Sequence, residues 1–292
     1  MEITYGDIAK VTPRGIARHA ALDALSFYSL MTGKMKTALR SNRVQFLYFH
    51  HVFKDEEESF GKLLSELSNS HRFISYSQGV ERILSGNIDA PYLTVSFDDG
   101  IGNCLRASQI MDEFGIKGCF FVCPAIIGER NPEKIAAFSK NIVMPALKYL
   151  DWDDINTMVR NGHEIGGHTL NHLNLAQLSG QMLVDEIGGS YEALKARLGG
   201  VAHFAWPFGR FAHFSPQAAR VVFDGGYQSC ASAERGCHTV KIENARDLCI
   251  RRDSILAKTP PSHVYYFFAK NYSNSFLNPG GWPSEWCGGA GS

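Results

Sequence analysis

Thr94-Val95-Ser96-Phe97-Asp98-Asp99-Gly100 decides the fold: an apolar run from Tyr92 to Phe97 ends in two adjacent carboxylates and a glycine. A short apolar run rich in β-branched and aromatic residues reads as a buried strand, and the Asp-Asp-Gly after it as a turn. The same arrangement recurs along the chain. Val44 to Phe49 ends in His50-His51, His163 to Gly166 leads to His168, His203 to Trp206 leads to Pro207-Phe208, and Leu248 to Ile250 leads to Arg251-Arg252. Further strands are expected at Phe73-Ile74, Gly118 to Val122 and Tyr227 to Ala231.

Helical stretches lie between these runs. They are expected over Phe60 to Leu67, Gln78 to Leu84, Cys104 to Phe114, around Glu133 to Phe138, and over Trp152 to Arg160 behind an Asp151 cap. A long helix follows Ser179 and stops at Gly199, and another starts at Ser215-Pro216. Strands alternating with helices give a parallel sheet with crossover helices. About seven such units favour a closed or distorted (β/α) barrel over an open sheet. In a parallel barrel every strand's C-terminal end opens on one face, where active sites are built. His50, Asp98, Asp99, His168, Phe208 and the two arginines are therefore expected to converge.

The composition excludes several partners. Lys plus Arg and Asp plus Glu both number 29, so the net charge is zero and no nucleic-acid partner is expected. No run of about 18 apolar residues exists to span a membrane. The start of the chain lacks a basic region followed by an apolar one, so no signal peptide is expected. The seven cysteines form no C-x-x-C pair, which favours a reducing, cytoplasmic location. Residues 1–41 are expected as a helical extension, 42–278 as the barrel, and 279–292, rich in Gly and Pro, as a flexible tail. Within the extension, residues 14–40 carry an amphipathic pattern with Arg14, Arg18, Lys34, Lys36 and Arg40 around it. Such a helix either packs on the barrel or rests as a peripheral contact on an anionic membrane surface. The sequence leaves the oligomeric state open.

One carboxylate with two histidines four residues apart is the ligand set of a catalytic zinc-type site. His168 and His172 can share one ion if their segment makes a helical turn. A carboxylate among the ligands suits zinc, cobalt, nickel or iron. Two neighbouring aspartates diverge, so one can bind the ion while the other stands off as a base. Asp-Asp-Gly alone is an ordinary turn, and H-x-x-x-H alone arises by chance in a chain with 11 histidines. Their joint placement at strand ends is what favours a metal site. His50, closing the first strand, is a candidate general acid, with His51 pointing away if the strand continues. His238 and His263 are the late alternatives.

These residues resemble the polysaccharide deacetylases, carbohydrate esterase family 4, over about residues 42 to 258. The family's T-F-D-D-G stands here as Ser96-Phe97-Asp98-Asp99-Gly100, and its H-[ST]-x-x-H as His168-Thr169-Leu170-Asn171-His172. The resemblance implies a distorted (β/α)7 barrel, with Asp98 as catalytic base and Asp99, His168 and His172 as ligands of a divalent metal, zinc first. The family's R-x-P-[YF] motif is replaced by Ala205-Trp206-Pro207-Phe208-Gly209, similar to an A-[YW]-P-[YF]-G branch that includes poly-N-acetylglucosamine deacetylases. Phe208 would offer its backbone N–H to the oxyanion, and Arg210, Arg251 or Arg252 would restrain Asp98. Trp206, Pro207, Arg210 and Arg251 are the expected substrate contacts. The activity implied is metal-dependent removal of an N-acetyl group from an amino sugar of a surface glycan or its precursor. The alternatives are an N-deformylase or other small-acyl amidohydrolase, a non-catalytic carbohydrate-binding barrel, and an iron oxygenase.

Overall fold

Apolar runs become strands because each can bury both of its faces, one inside the barrel and one beneath the helices. The computed structural model describes residues 3–8 and 12–287. Its strands are β1 (Arg43–Phe49), β2 (Arg72–Phe73), β3 (Pro91–Phe97), β4 (Cys119–Val122), β5 (Glu164–Gly167), β6 (His203–Ala205), β7 (Ser229–Ala231), β8 (Cys249–Ile250) and β9 (Arg252–Ser254). They run in the order β8-β7-β6-β5-β4-β3-β1-β9, with β2 attached to β3. Every pairing is parallel.

The sequence ends the last strand at Ile250, but the chain continues it. Cys249 and Ile250 pair with β7, and Arg252 to Ser254 pair with β1. One stretch, bent at Arg251, thus touches both edges of the sheet and closes it into a distorted barrel.

Side chains alternate across each strand. Val44, Phe46, Tyr92, Phe121, Ala205, Ala231 and Ile250 form an inner cluster with Tyr76, Val80 and Ile83 of the helix Tyr76–Ser85. Leu47, Phe49, Leu93, Val95, Phe97, Phe120, Val122 and Phe204 belong to the outer cluster shared with the surrounding helices. Each such buried side chain contributes about 1.5–3 kcal/mol relative to exposure. The narrow bore needs glycine at one point, since a Cβ on Gly166 would sit 2.4 Å from the Phe121 ring. Ser96 and Asp98 share the parity of Tyr92, and both are reached by Arg252, which pairs opposite Phe46.

Three expectations change. The single helix over residues 14–40 is two, Pro13–Met31 and Lys34–Arg40, because Gly33 takes a left-handed φ of 74° between them. A further helix, Pro261–Asn274, follows the barrel and packs against both. The tail is not loose through 279–287: Trp282 is buried and stacks on Trp206 at 6.0 Å and on Phe214 at 6.1 Å. Its Gly and Pro content shapes the approach of that indole rather than leaving the segment free. Gly288 to Ser292 lie outside the described residues. Among the described residues no helix is long and apolar enough to cross a membrane.

Candidate active site and metal centre

Asp99, His168 and His172 present ligand atoms that lie within 4.8 Å of one another, and all three residues are buried. Asp99 Oδ1 stands 3.4 Å from His168 Nε2 and 3.2 Å from His172 Nε2. The His168 ring is set by its other nitrogen: Nδ1 donates to the carbonyl oxygen of Ala205 at 2.7 Å, which turns Nε2 toward the centre. His172 Nδ1 is buried without a hydrogen-bond partner among the described residues.

The two histidines do not meet through a helical turn, as the sequence suggested. Thr169 and His172 both take left-handed φ, at 62° and 59°, and His172 N–H donates to Thr169 Oγ1 at 2.9 Å. The loop is held from outside by Glu186 on the helix Gly180–Leu198. That carboxylate accepts the Asn171 amide N–H at 2.9 Å and its side-chain NH2 at 2.7 Å. Glu186 has no motif of its own, so only its spatial role marks it.

Burial alone would push the Asp99 carboxyl up, but hydrogen bonds from His168 and His172 outweigh it and hold the group well below the usual carboxylate range. His168 shows the reverse balance. Burial disfavours its charge, yet the Asp99 hydrogen bond and the Asp98 and Asp99 charges raise it. A buried anion facing two imidazole nitrogens is a donor set of the right type for a divalent cation.

Asp98 stands beside this cluster and is gripped by Arg252. Nη1 donates to Oδ1 at 2.8 Å and Nη2 to Oδ2 at 2.9 Å, a two-point fork. Arg252 is wholly buried, donates Nε–H to the Ser232 carbonyl at 2.8 Å, and lies over the Tyr48 ring at 4.4 Å. Burial opposes its charge, but Asp98 more than offsets that and raises its pKa.

A cavity of about 230 Å³ opens on these groups, lined by His50, His51, Asp98, Asp99, His168, His172 and Phe208 among others. Larger grooves exist, one of about 570 Å³ along Ile3, Val52 and Arg106, but none of the three cluster residues lines it. Backbone strain concentrates at the smaller cavity. Among the described residues the non-glycine residues with left-handed φ are Asp99, Val143, Thr169, His172 and Phe208, and all but Thr169 line it. Phe208 sits edge-on to His172 at 5.0 Å. Its turn is pinned by Gly209, which takes φ of 64° with Ala233 packed where a Cβ would be, 2.2 Å away.

His50 lines the cavity, edge-on to Tyr48 at 5.3 Å. His51 lines it too, with Nδ1 at 3.0 Å from Glu56 Oε2. The strand stops at Phe49, so strict alternation does not separate the two histidines. The expected substrate contacts fall elsewhere. Trp206 is buried and stacked on Phe214, Pro207 is buried, and neither lines the cavity. Arg210 pairs with Glu234 at 2.8 Å on the outside. Arg251 donates Nη2–H to the Gly281 carbonyl at 2.7 Å, because it sits at the bend and points out of the barrel. Of the three arginines left open by the sequence, Arg252 is the one on Asp98. His238 accepts the Arg251 amide N–H, and His263 pairs with Asp23, so neither lines the cavity.

Comparison with solved structures finds the same fold in several deacetylases. The Streptococcus pyogenes deacetylase PplD in complex with acetate is 18% identical, with a TM-score of 0.61 over 77% of this chain and 98% of that one. IcaB from Ammonifex degensii is 20% identical, with a TM-score of 0.60 over 79% and 98%. The de-N-acetylase from Aggregatibacter actinomycetemcomitans is 18% identical, with a TM-score of 0.61 over 77% and 100%. At such identities the likeness speaks for the fold. The comparison with curated proteins returned no match. The segment 85–228, which carries Asp98, Asp99, His168, His172 and Phe208, matches the family described as polysaccharide deacetylase.

Proposed function

We propose that this chain is a metal-dependent hydrolase that removes an N-acetyl group from an amino sugar of a glycan or glycan precursor. The observation that carries the reading is the buried Asp99–His168–His172 cluster with Asp98 held beside it at the mouth of the barrel. Asp99 Oδ1 and the two Nε2 atoms would hold a divalent ion, zinc first, with cobalt, nickel and iron as rivals. When bound, such an ion polarises water and the acyl oxygen.

The chain's own groups supply the rest. Arg252 fixes the plane of the Asp98 carboxylate, and each oxygen keeps a second lone pair with which to accept a proton from water. Phe208 lines the same cavity, and its backbone N–H serves as the donor to the oxyanion. His50, lining the same cavity, delivers a proton to the departing amine, without which the C–N bond does not break. A cavity of about 230 Å³ is small and suits a short acyl group. Among the described residues six cysteines are buried and unpaired, in keeping with a cytoplasmic site of action on a precursor or growing glycan.

The test uses purified chain loaded with zinc and incubated with N-acetylglucosamine oligosaccharides. Mass spectrometry is expected to show free amines and released acetate. Asp98→Asn should keep its zinc and lose about 10²- to 10⁴-fold in turnover. Asp99→Ala and His168→Ala should lose zinc. Wild-type zinc content in both of these variants removes the site. Unchanged turnover in Asp98→Asn removes the base.

A further inference from the structure

The helix Pro13–Met31 is mounted with its apolar side outward. A helix on a soluble protein turns its apolar stripe to the core. Here the buried residues are Ser26 and Ser29, and the helix packs through that side on Pro261–Asn274. Ile16, Ala20, Ala24, Phe27 and Met31 follow one another at helical spacing on the opposite side, with Tyr28 beside them, and all are exposed. Ile16 is 61% exposed, Phe27 66%, Tyr28 60% and Met31 70%, values that leave this surface uncovered among the described residues.

Charge selects the occupant. Between residues 13 and 40 the chain carries Arg14, Arg18, Lys34, Lys36 and Arg40 against a single acid, Asp23. That acid is engaged, accepting from His263 Nε2 at 2.7 Å. Lys36 and Arg40 also line a groove with Leu30, Met35 and Leu39. A second copy of the chain meeting this face about a two-fold axis would bring two sets of like cations together, at a cost. A bilayer with anionic headgroups takes the apolar side and the cations at once.

We infer that the outward face of Pro13–Met31, with the cations of residues 14–40, docks the protein on an anionic membrane surface. The inference stands apart from the hydrolase reading, since it uses none of the residues of the cavity.

The experiment is vesicle co-sedimentation of the full chain at low salt. Vesicles of phosphatidylcholine alone are compared with phosphatidylcholine mixed with phosphatidylglycerol. Binding is expected to the mixed vesicles and to fall as salt is added. Each basic residue near an anionic surface is worth about five-fold in partitioning, so Lys34→Glu with Lys36→Glu should weaken binding by at least about 25-fold. Phe27→Ser with Met31→Ser should weaken it by at least about tenfold. All four side chains lie outside the core, so the variants should unfold as the wild type does. Absence of vesicle binding at low salt overturns the inference. So does a dimer in sedimentation velocity that Phe27→Ser with Met31→Ser dissolves.

Discussion

Arg252→Met removes a fully buried guanidinium that holds both oxygens of Asp98, at 2.8 and 2.9 Å. With about 4 Å between charge centres and an effective dielectric of about 20, the pair attracts by about 4 kcal/mol. Breaking a buried pair from one side costs about 3–5 kcal/mol, because the other charge stays buried and unpaired. Asp98→Asn breaks it from the opposite side. The double variant leaves no stranded charge, so its loss should be smaller than the sum of the two single losses by about 4 kcal/mol. The four proteins are compared by urea unfolding in the presence of EDTA, which keeps metal binding out of the balance. A coupling below about 1 kcal/mol, the range of exposed pairs, would refute the argument that the fork is a strong buried restraint. Arg252→Lys separates charge from geometry. It keeps a cation but loses the two-point grip. Its hydrolysis of an aryl acetate should fall well below wild type while its unfolding curve stays near it.

Three further outcomes follow from features away from the fork. Burial first, and the nearby Arg43 second, lower the His71 pKa to about 3, while burial lowers that of His238 to about 4. Both therefore stay neutral in the folded chain as the unfolded chain takes up protons, so stability should fall with pH below about 6.5 and lose about 2 kcal/mol by about pH 5.5; a flat profile, or one unchanged by replacing both with Gln, counts against it. Trp282→Ala should cost about 3–5 kcal/mol in urea unfolding, and wild-type stability would mean that the stack on Trp206 and Phe214 contributes little. Gly209→Ala should destabilise by more than about 2 kcal/mol and displace Phe208, since the new Cβ meets Ala233 and the φ of 64° is strained for alanine; normal stability and activity would show that the turn relaxes freely.

Much of the barrel could be read from the chain because its strands are short apolar runs that stop at a polar residue. Tyr92 to Phe97 and Val44 to Phe49 announce themselves, and the observed bounds differ by a residue. The aspartates and histidines of the cavity stand out for the same reason: they sit where an apolar run ends. Arg252 did not stand out from Arg210 and Arg251 as the one on Asp98. Its role depends on a bend at Arg251 that returns the chain to the ring, and no periodicity exists in two- and three-residue strands. Glu186 lies within a helix and acts at a distance of 15 residues on Asn171, which sequence spacing does not register. The orientation of Pro13–Met31 was also hidden. A hydrophobic stripe shows which residues share a side, but not which side faces the protein. Trp282 was obscured by the glycines and prolines around it.

The bent closing stretch has a consequence for how the protein is made. Asp98 and Arg252 are 154 residues apart in the chain. At a synthesis rate of about 5–20 residues per second, the carboxylate emerges about 8–30 s before its partner. Until Cys249 to Ser254 arrive, β7 and β1 are the unsatisfied rims of an open sheet. The nascent chain thus carries Asp99, His168 and His172 early and the restraint on Asp98 last. A ribosome-bound fragment ending before Cys249 would expose an unfinished edge and a freely rotating Asp98. The same few residues complete the wall and orient Asp98, so the proposed hydrolase would be inert until its architecture is finished.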